Sequence, residues 1–220
     1  GVLSPRPEWL AEWKWDGIRA QILRRGADEL YVWSRGEEQV TQRFPELHGP
    51  ARTLPAGTVL DGELLAWQPG GPSAPEGLGD QPLPFQDLQM RINRVQVPET
   101  LLRRAPIVFV AYDLLEEGGL DIREQPLSER RARLERVLAE GPGTTGHFRL
   151  SEGLGGETWD ELAALRAQSR ERGVEGVMLK RRGSPYRAGR VRGDWWKWKI
   201  EPLTIDAVMV YAEAGHGRRA

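Results

Sequence analysis

The chain contains no cysteine and almost no lysine. The first absence excludes a disulfide framework, a thiolate zinc centre and a cysteine nucleophile, and it fits a reducing compartment. Long apolar runs are missing too, so nothing reads as a membrane span. The opening residues, GVLSPRPEWLAEWKW, lack the apolar segment of a secretory signal. Excess charge is also absent. A net charge of −1 gives no bulk attraction for nucleic acid, so any such binding must use local basic stretches. Of 31 Lys plus Arg, only Lys14, Lys180, Lys197 and Lys199 are lysine. Arginine with abundant Ala, Gly and Pro is the ordinary product of GC-rich coding, which makes the surviving lysines informative. A guanidinium stays protonated at any working pH, whereas an amine can become neutral and act as a nucleophile.

With 220 residues, 39% of them hydrophobic and 29% charged, the chain suits one soluble domain, or one domain and a fragment of another. No internal repeat is evident. Alternation and β-branched or aromatic content predict strands at about 17–25, 29–34, 58–67, 106–114, 147–151, 174–181, 194–200 and 204–212. Residues 68–84, QPGGPSAPEGLGDQPLP, read as a surface loop. Three helices are predicted: FQDLQMRINR, PLSERRARLERVLAE, and ETWDELAALRAQSRERG, the last with Thr158 as N-cap and Glu161 completing a capping box. Mixed strands with interspersed helices indicate an α+β fold. The closing segment begins a strand and then runs into GHGRR. A lone strand is not a domain, so residues 204–220 are expected to open a second one.

Several short constellations could carry chemistry. In EWKWDGIRA, extended backbone places Glu12, Lys14 and Asp16 on one face and Trp13 and Trp15 on the other. In WWKWKI, Lys197 and Lys199 share a face with Trp195, about 7 Å apart by strand geometry, while Trp196 and Trp198 turn toward the core. Two such cations suit a phosphate between them. Placed near Lys14, they would also favour its neutral amine. Asp61 and Glu63 share a face in VLDGELLAW; VFVAYDLL ends an apolar strand at Tyr112 and Asp113; VEGVMLK carries Glu175 and Lys180. Acidic side chains from separate strands suit Mg²⁺. The stretch KRRGSPYRAGRVRGDWWKWK concentrates cations among aromatics and glycines, including Arg187, Arg190 and Arg192.

Taken in order, KWDGIR, SRGEEQVT, LDGELLAW, VAYDLL, EGVMLK and WWKWKI resemble the six motifs of the covalent nucleotidyltransferase superfamily, specifically ATP-dependent DNA ligases of bacterial type. The resemblance spans residues 12–199. It implies a nucleotidyltransferase (ATP-grasp-like) fold of antiparallel sheets flanked by helices over 1–203, with the start of a truncated OB-fold at 204–220. It implies that Lys14 attacks the ATP α-phosphate to form lysyl-AMP, with Lys197 and Lys199 neutralising the phosphate. Glu63 would bind the ribose, Tyr112 would stack on adenine, and Glu12 would lie beside the base. Arg19, Arg35 and Arg192 would contact ribose, phosphate or DNA, with Lys180 also in the nucleotide site. Glu63 and Glu175 would hold Mg²⁺, for which Mn²⁺ would substitute. The implied partners are nicked double-stranded DNA, an OB-fold domain and an N-terminal DNA-binding domain outside this chain. The implied setting is a monomer in a bacterial cytoplasm, without a membrane. On the same grounds these 220 residues alone are expected to seal nicks poorly. A GTP-dependent mRNA capping guanylyltransferase shares the Lys-x-Asp-Gly motif, and an RNA ligase differs mainly in substrate. A degenerate DNA-binding relative would have lost the motif lysines, and this chain keeps them all.

Overall fold

A computed structural model describes residues 4–26, 28–70, 78–94, 96–189, 191–201, 208, 210 and 211. Two sheets organise it. The smaller joins β1 (Trp9–Trp15), β9 (Val174–Arg181) and β10 (Trp195–Lys199) in the order β1-β9-β10, all antiparallel. The larger contains β2 (Ile18–Arg24), β3 (Leu30–Ser34), β4 (Thr58–Pro69), β6 (Ile107–Glu117) and β7 (Leu120–Asp121) in the order β3-β2-β4-β6-β7. Two short strands join it: β5 (Leu78–Pro82) pairs with β4, and β8 (Phe148–Leu150) lies parallel to β6.

Among the described residues five α-helices accompany the sheets: α1 (His48–Ala51), α2 (Phe85–Ile92), α3 (Glu99–Arg104), α4 (Leu127–Ala139) and α5 (Trp159–Ala167). The main core lies between the larger sheet and α2, α4 and the 40–54 segment. Ile22, Leu60, Leu64, Phe109, Leu134 and Phe148 are all shut off from solvent there. A second core joins Trp9, Ala11 and Trp13 of β1 to Val177 and Leu179 of β9 and Leu162 of α5. The capping box on α5 forms as the sequence predicts: Glu161 N donates to Thr158 Oγ1 at 3.2 Å, and Glu161 Oε2 accepts from Thr158 N at 3.3 Å.

The chain passes from one sheet to the other in two residues, Asp16 and Gly17. A Cβ on Gly17 would stand 2.3 Å from the Leu64 carbonyl oxygen, so only glycine lets β2 start this close to β4.

The α+β reading and the seven predicted strands between 17 and 200 hold, each within a few residues. β1 emerges as the edge partner of β9. The expected loop at 68–84 is shorter than read. β4 continues to Pro69, and Leu78–Pro82 returns as a strand beside it, because Trp67 Nε1 donates to the Gly79 carbonyl at 2.6 Å and Arg149 stacks on the Trp67 ring. Helices α1 and α3 were not anticipated. Both are short, and no residue of α3 is buried, so neither prints an apolar period on the sequence. The strand expected at 204–212, and with it the start of an OB-fold at 204–220, lies outside the described residues save for 208, 210 and 211.

Candidate active site

A cleft of about 1120 Å³ opens between the two sheets. Lys14, Lys197, Lys199, Glu12, Arg19, Arg35, Glu63, Tyr112, Glu175, Lys180 and Arg192 all line it. They come from six strands and two loops, and the folding of β1 and β10 onto opposite edges of β9 closes the distance between positions 14 and 199.

The centre of the cleft is an ion triad. Glu175 of β9 accepts a hydrogen bond from Lys14 Nζ and a second, at 3.2 Å, from Lys199 Nζ. Burial alone would raise the Glu175 carboxyl. The bonds and charges of Lys14 and Lys199 outweigh it and hold the group below the ordinary carboxylate value. Lys14 therefore does lie near the cation pair of β10, and the structure adds a group that the sequence reading did not place there. A carboxylate stands between the amines, since β9 lies between β1 and β10 and Glu175 projects from it into the gap.

The floor is built by a second network. Asp61 of β4, wholly buried, receives Arg19 Nε at 3.1 Å, Arg19 Nη2 at 2.6 Å, Tyr112 OH at 3.2 Å and Tyr186 OH at 2.8 Å. Four donors on one carboxylate meet the requirement that a buried charge be paired and hydrogen-bonded. Burial, followed by the Asp61 charge, pushes both tyrosine hydroxyls above their usual range, so they remain donors. Glu63, two residues along the same face, has no such partners. Burial lifts its carboxyl to about 7, against the opposing charge of Lys14. Asp16, at the rim, is raised by loss of solvent and then by the Glu175 charge.

Glu12 lies beneath the floor. Its Oε1 accepts from Arg131 Nη1 at 2.7 Å, and Lys180 Nζ sits 2.6 Å from Oε2 as an ion pair of poor hydrogen-bond angle. Lys180 is 2% exposed, its amine 4.2 Å from the centre of the Tyr112 ring and 4.5 Å from that of Trp195. The amine thus fixes both rings as walls of the cleft, a cation–π arrangement that desolvation strengthens. Arg35 and Arg192 line the cleft as exposed side chains. Arg187 is paired with Glu124 at 3.2 Å, and Arg190 lies outside the described residues.

One expectation about β10 fails. Trp198 does pack against the second core, with Arg166 stacked on it, but Trp196 is 46% exposed. β10 is an edge strand, and nothing described covers its outer face at that position. Sequence reasoning also missed Tyr186. A tyrosine in SPYR carries no sign that its hydroxyl will meet an aspartate 125 positions away.

Among the described residues no three His, Cys, Asp or Glu side chains gather as a metal cage. A hard divalent cation sharing phosphate oxygens needs only one or two carboxylates. Glu63, whose raised carboxyl lacks a protein partner, and Glu175 fit that smaller demand.

The chain matches a family model described as "ATP dependent DNA ligase domain" over residues 3–199. It is 38% identical to a probable DNA ligase of Sorangium cellulosum, across 99% of this chain and 38% of that protein. It is 33% identical to a DNA ligase of Haloferax volcanii, across 97% and 35%. The chain thus spans under two-fifths of the length of these curated relatives. Among solved structures, a mycobacterial DNA ligase D complexed with ATP and MES superposes with a TM-score of 0.63 at 28% identity, covering 87% of this chain and 54% of that one. A Chlorella virus DNA ligase-adenylate shares the fold, with a TM-score of 0.59 at 18% identity over 90% and 66%.

Proposed function

This chain belongs to the family of ATP-dependent DNA ligase domains, and from that premise we propose that Lys14 is the residue it adenylates. The supporting observation is the Lys14–Glu175–Lys199 triad at the centre of the cleft. The α-phosphate of ATP enters between Lys14 and the β10 cations. Lys199 turns from Glu175 to the phosphate, and Lys197 joins it. One of the two cations holding the Glu175 carboxylate low is thereby withdrawn, and Glu175 becomes a better acceptor for a Lys14 proton. The freed amine attacks phosphorus in line. A P–N bond forms, the bond to the bridging oxygen of the β-phosphate breaks, pyrophosphate departs, and the second proton of the attacking nitrogen leaves to solvent or to the pyrophosphate. Such chemistry needs position and charge neutralisation more than covalent help.

Tyr112 stacks on the adenine and Glu63 takes the ribose hydroxyls, with Glu12 and Lys180 supporting the wall from below. Arg19, whose Nε and Nη2 are committed to Asp61, offers its remaining Nη1 edge to ribose or phosphate. Arg35 and Arg192 meet phosphate or DNA at the rims. Glu63 would hold Mg²⁺, or Mn²⁺ in its place, with Glu175 joining only once its carboxylate is free of the Lys14 proton; the ion when bound supplies further neutralisation of phosphate charge.

The AMP then passes from Lys14 to a DNA 5′-phosphate, and a neighbouring 3′-hydroxyl displaces it to seal the nick, in concert with an OB-fold domain and DNA-binding segments of the longer protein. Residues 1–203 form the adenylation domain and 204–220 the beginning of that OB-fold. A monomer in the bacterial cytoplasm, where ATP and DNA are both at hand, is the setting proposed for it. Among the described residues no helix is long and apolar enough to cross a membrane. The relatives quoted above are DNA ligases, and no observation favours the guanylyltransferase or RNA ligase alternatives.

Incubation with α-labelled ATP or GTP and a divalent cation tests the proposal. Covalent label is expected from ATP and not GTP, with one pyrophosphate released per adduct. Equal labelling by GTP, or none by ATP, would overturn it.

A further inference from the structure

Five arginines are buried among the described residues: Arg6, Arg24, Arg91, Arg130 and Arg131. Four have evident reasons to be inside. Arg91, Arg130 and Arg131 grip the carboxylates of Glu46, Asp113 and Glu12, and Arg6 donates to the carbonyls of Trp9 and Leu154. Arg24 is the exception. It is 8% exposed and belongs to no described ion pair. Its Nε and Nη1 have no hydrogen-bond partner, and its Nη2 reaches only the Arg52 carbonyl at 3.5 Å, the outer limit of such a bond. A buried guanidinium without an acid is the costly arrangement that proteins otherwise avoid.

The neighbourhood explains what could pair with it. Arg24 ends β2 and lines a cavity of about 80 Å³ together with Asp28, Leu30, His48 and Arg52. A space of that size suits a small polyatomic group such as a phosphate better than a nucleoside. The second cation is available as well. Arg52 holds only Asp28, at 3.0 Å, and both side chains are mostly exposed, so the pair contributes little and yields readily. The adjacent Arg25 does not compete, being tied to Glu116. His48 keeps its ring as a wall through Nε2 against the Thr41 carbonyl at 3.2 Å. None of the five residues lines the active cleft. Arg24 stands five residues beyond Arg19 on the same strand, about 17 Å away at the rise of a β-strand.

The geometry points to a second anion site at the end of β2, in which Arg24 and Arg52 hold one phosphate-type oxyanion remote from the ATP cleft. The group comes either from free inorganic phosphate or from a backbone phosphate of a DNA duplex lying across this edge. A guanidinium fork suits either source.

The arginine Nε–Hε resonances in a ¹H–¹⁵N spectrum of the chain provide the test, with the Arg24 signal identified by its disappearance in Arg24→Lys. Titration at constant ionic strength uses sodium phosphate in one arm and a nicked duplex in the other. The Arg24 resonance is expected to move saturably in at least one arm, while the carboxylate-bound Arg91 and Arg130 stay fixed. Movement with phosphate marks a free-oxyanion site; movement with the duplex alone marks a backbone contact. An Arg24 signal that moves no more than those of Arg91 and Arg130 in both arms overturns the proposal. Should Arg24→Lys fold poorly, the Arg24, Arg91 and Arg130 signals are assigned instead by through-bond experiments on the unaltered chain, and the titration decides as before.

Discussion

Glu175 faces both Lys14 and Lys199, and in the proposed mechanism it is the residue on which the chemistry turns. Glu175→Gln keeps the size of the side chain and removes its charge and its ability to take a proton. The adenylation rate in a single turnover should fall by about 10²-fold or more, the range for losing a general base, while ATP binding measured separately changes far less. Asp61 plays a different part, as the acceptor for Arg19, Tyr112 and Tyr186. Asp61→Ala leaves a guanidinium without its counter-charge. Asp61 is fully buried but the Arg19 side chain is 40% exposed, so water tempers the loss to about 1–3 kcal/mol; melting should drop by about 2–10 °C and adenylation should be lost with it.

Glu63 makes a prediction in pH. Its folded carboxyl is raised from 4.5 to about 7. Between those values the folded protein keeps a proton that the unfolded chain has released, so ν_U − ν_N is negative and stability falls as pH rises. The contribution, of order 3 kcal/mol at most, is complete below about pH 4.5 and gone above about pH 7. Melting scans from pH 5 to 8 should show the decline, and Glu63→Gln should flatten it; parallel curves for the two proteins would refute the assignment.

At the scale of elements, what the sequence revealed follows from what each element buries. The strands at 58–69 and 107–117 are apolar because the core takes them on both faces, and they were legible. α4 showed its period through Leu127, Leu134, Val137 and Leu138, all buried. β5 hid inside a run of Pro and Gly, since its role is to accept the Trp67 indole through a backbone carbonyl rather than to bury side chains. The candidate site was legible as a set of motifs, yet its internal wiring was not. The partners of Asp61 lie 42, 51 and 125 residues distant, and pairing over such separations leaves no local pattern. α5 offers a test of a feature that could be read. Leu162 alone is fully buried on it, so its Thr158 cap matters more than in a well-packed helix. Thr158→Ala should cost about 1 kcal/mol, seen as a fall in melting temperature of about 2–4 °C.

At the scale of the whole molecule, two sheets meet along a cleft, and the chain links them through Asp16 and Gly17. Lys14 belongs to one sheet, and Glu63 and Tyr112 to the other, so the site exists only while the sheets hold their register. A methyl group at Gly17 would collide with the Leu64 carbonyl. Gly17→Ala should therefore abolish adenylation more completely than it unfolds the protein, in a paired assay of melting and AMP incorporation. One amine among the four lysines is proposed to take the nucleotide. Intact-mass and peptide mass spectrometry after exposure to ATP and Mg²⁺ tests this most directly. A single added adenylate, mapped to Lys14 and missing from Lys14→Ala, is expected. An adduct on any other residue, or one that persists in that variant, would contradict it.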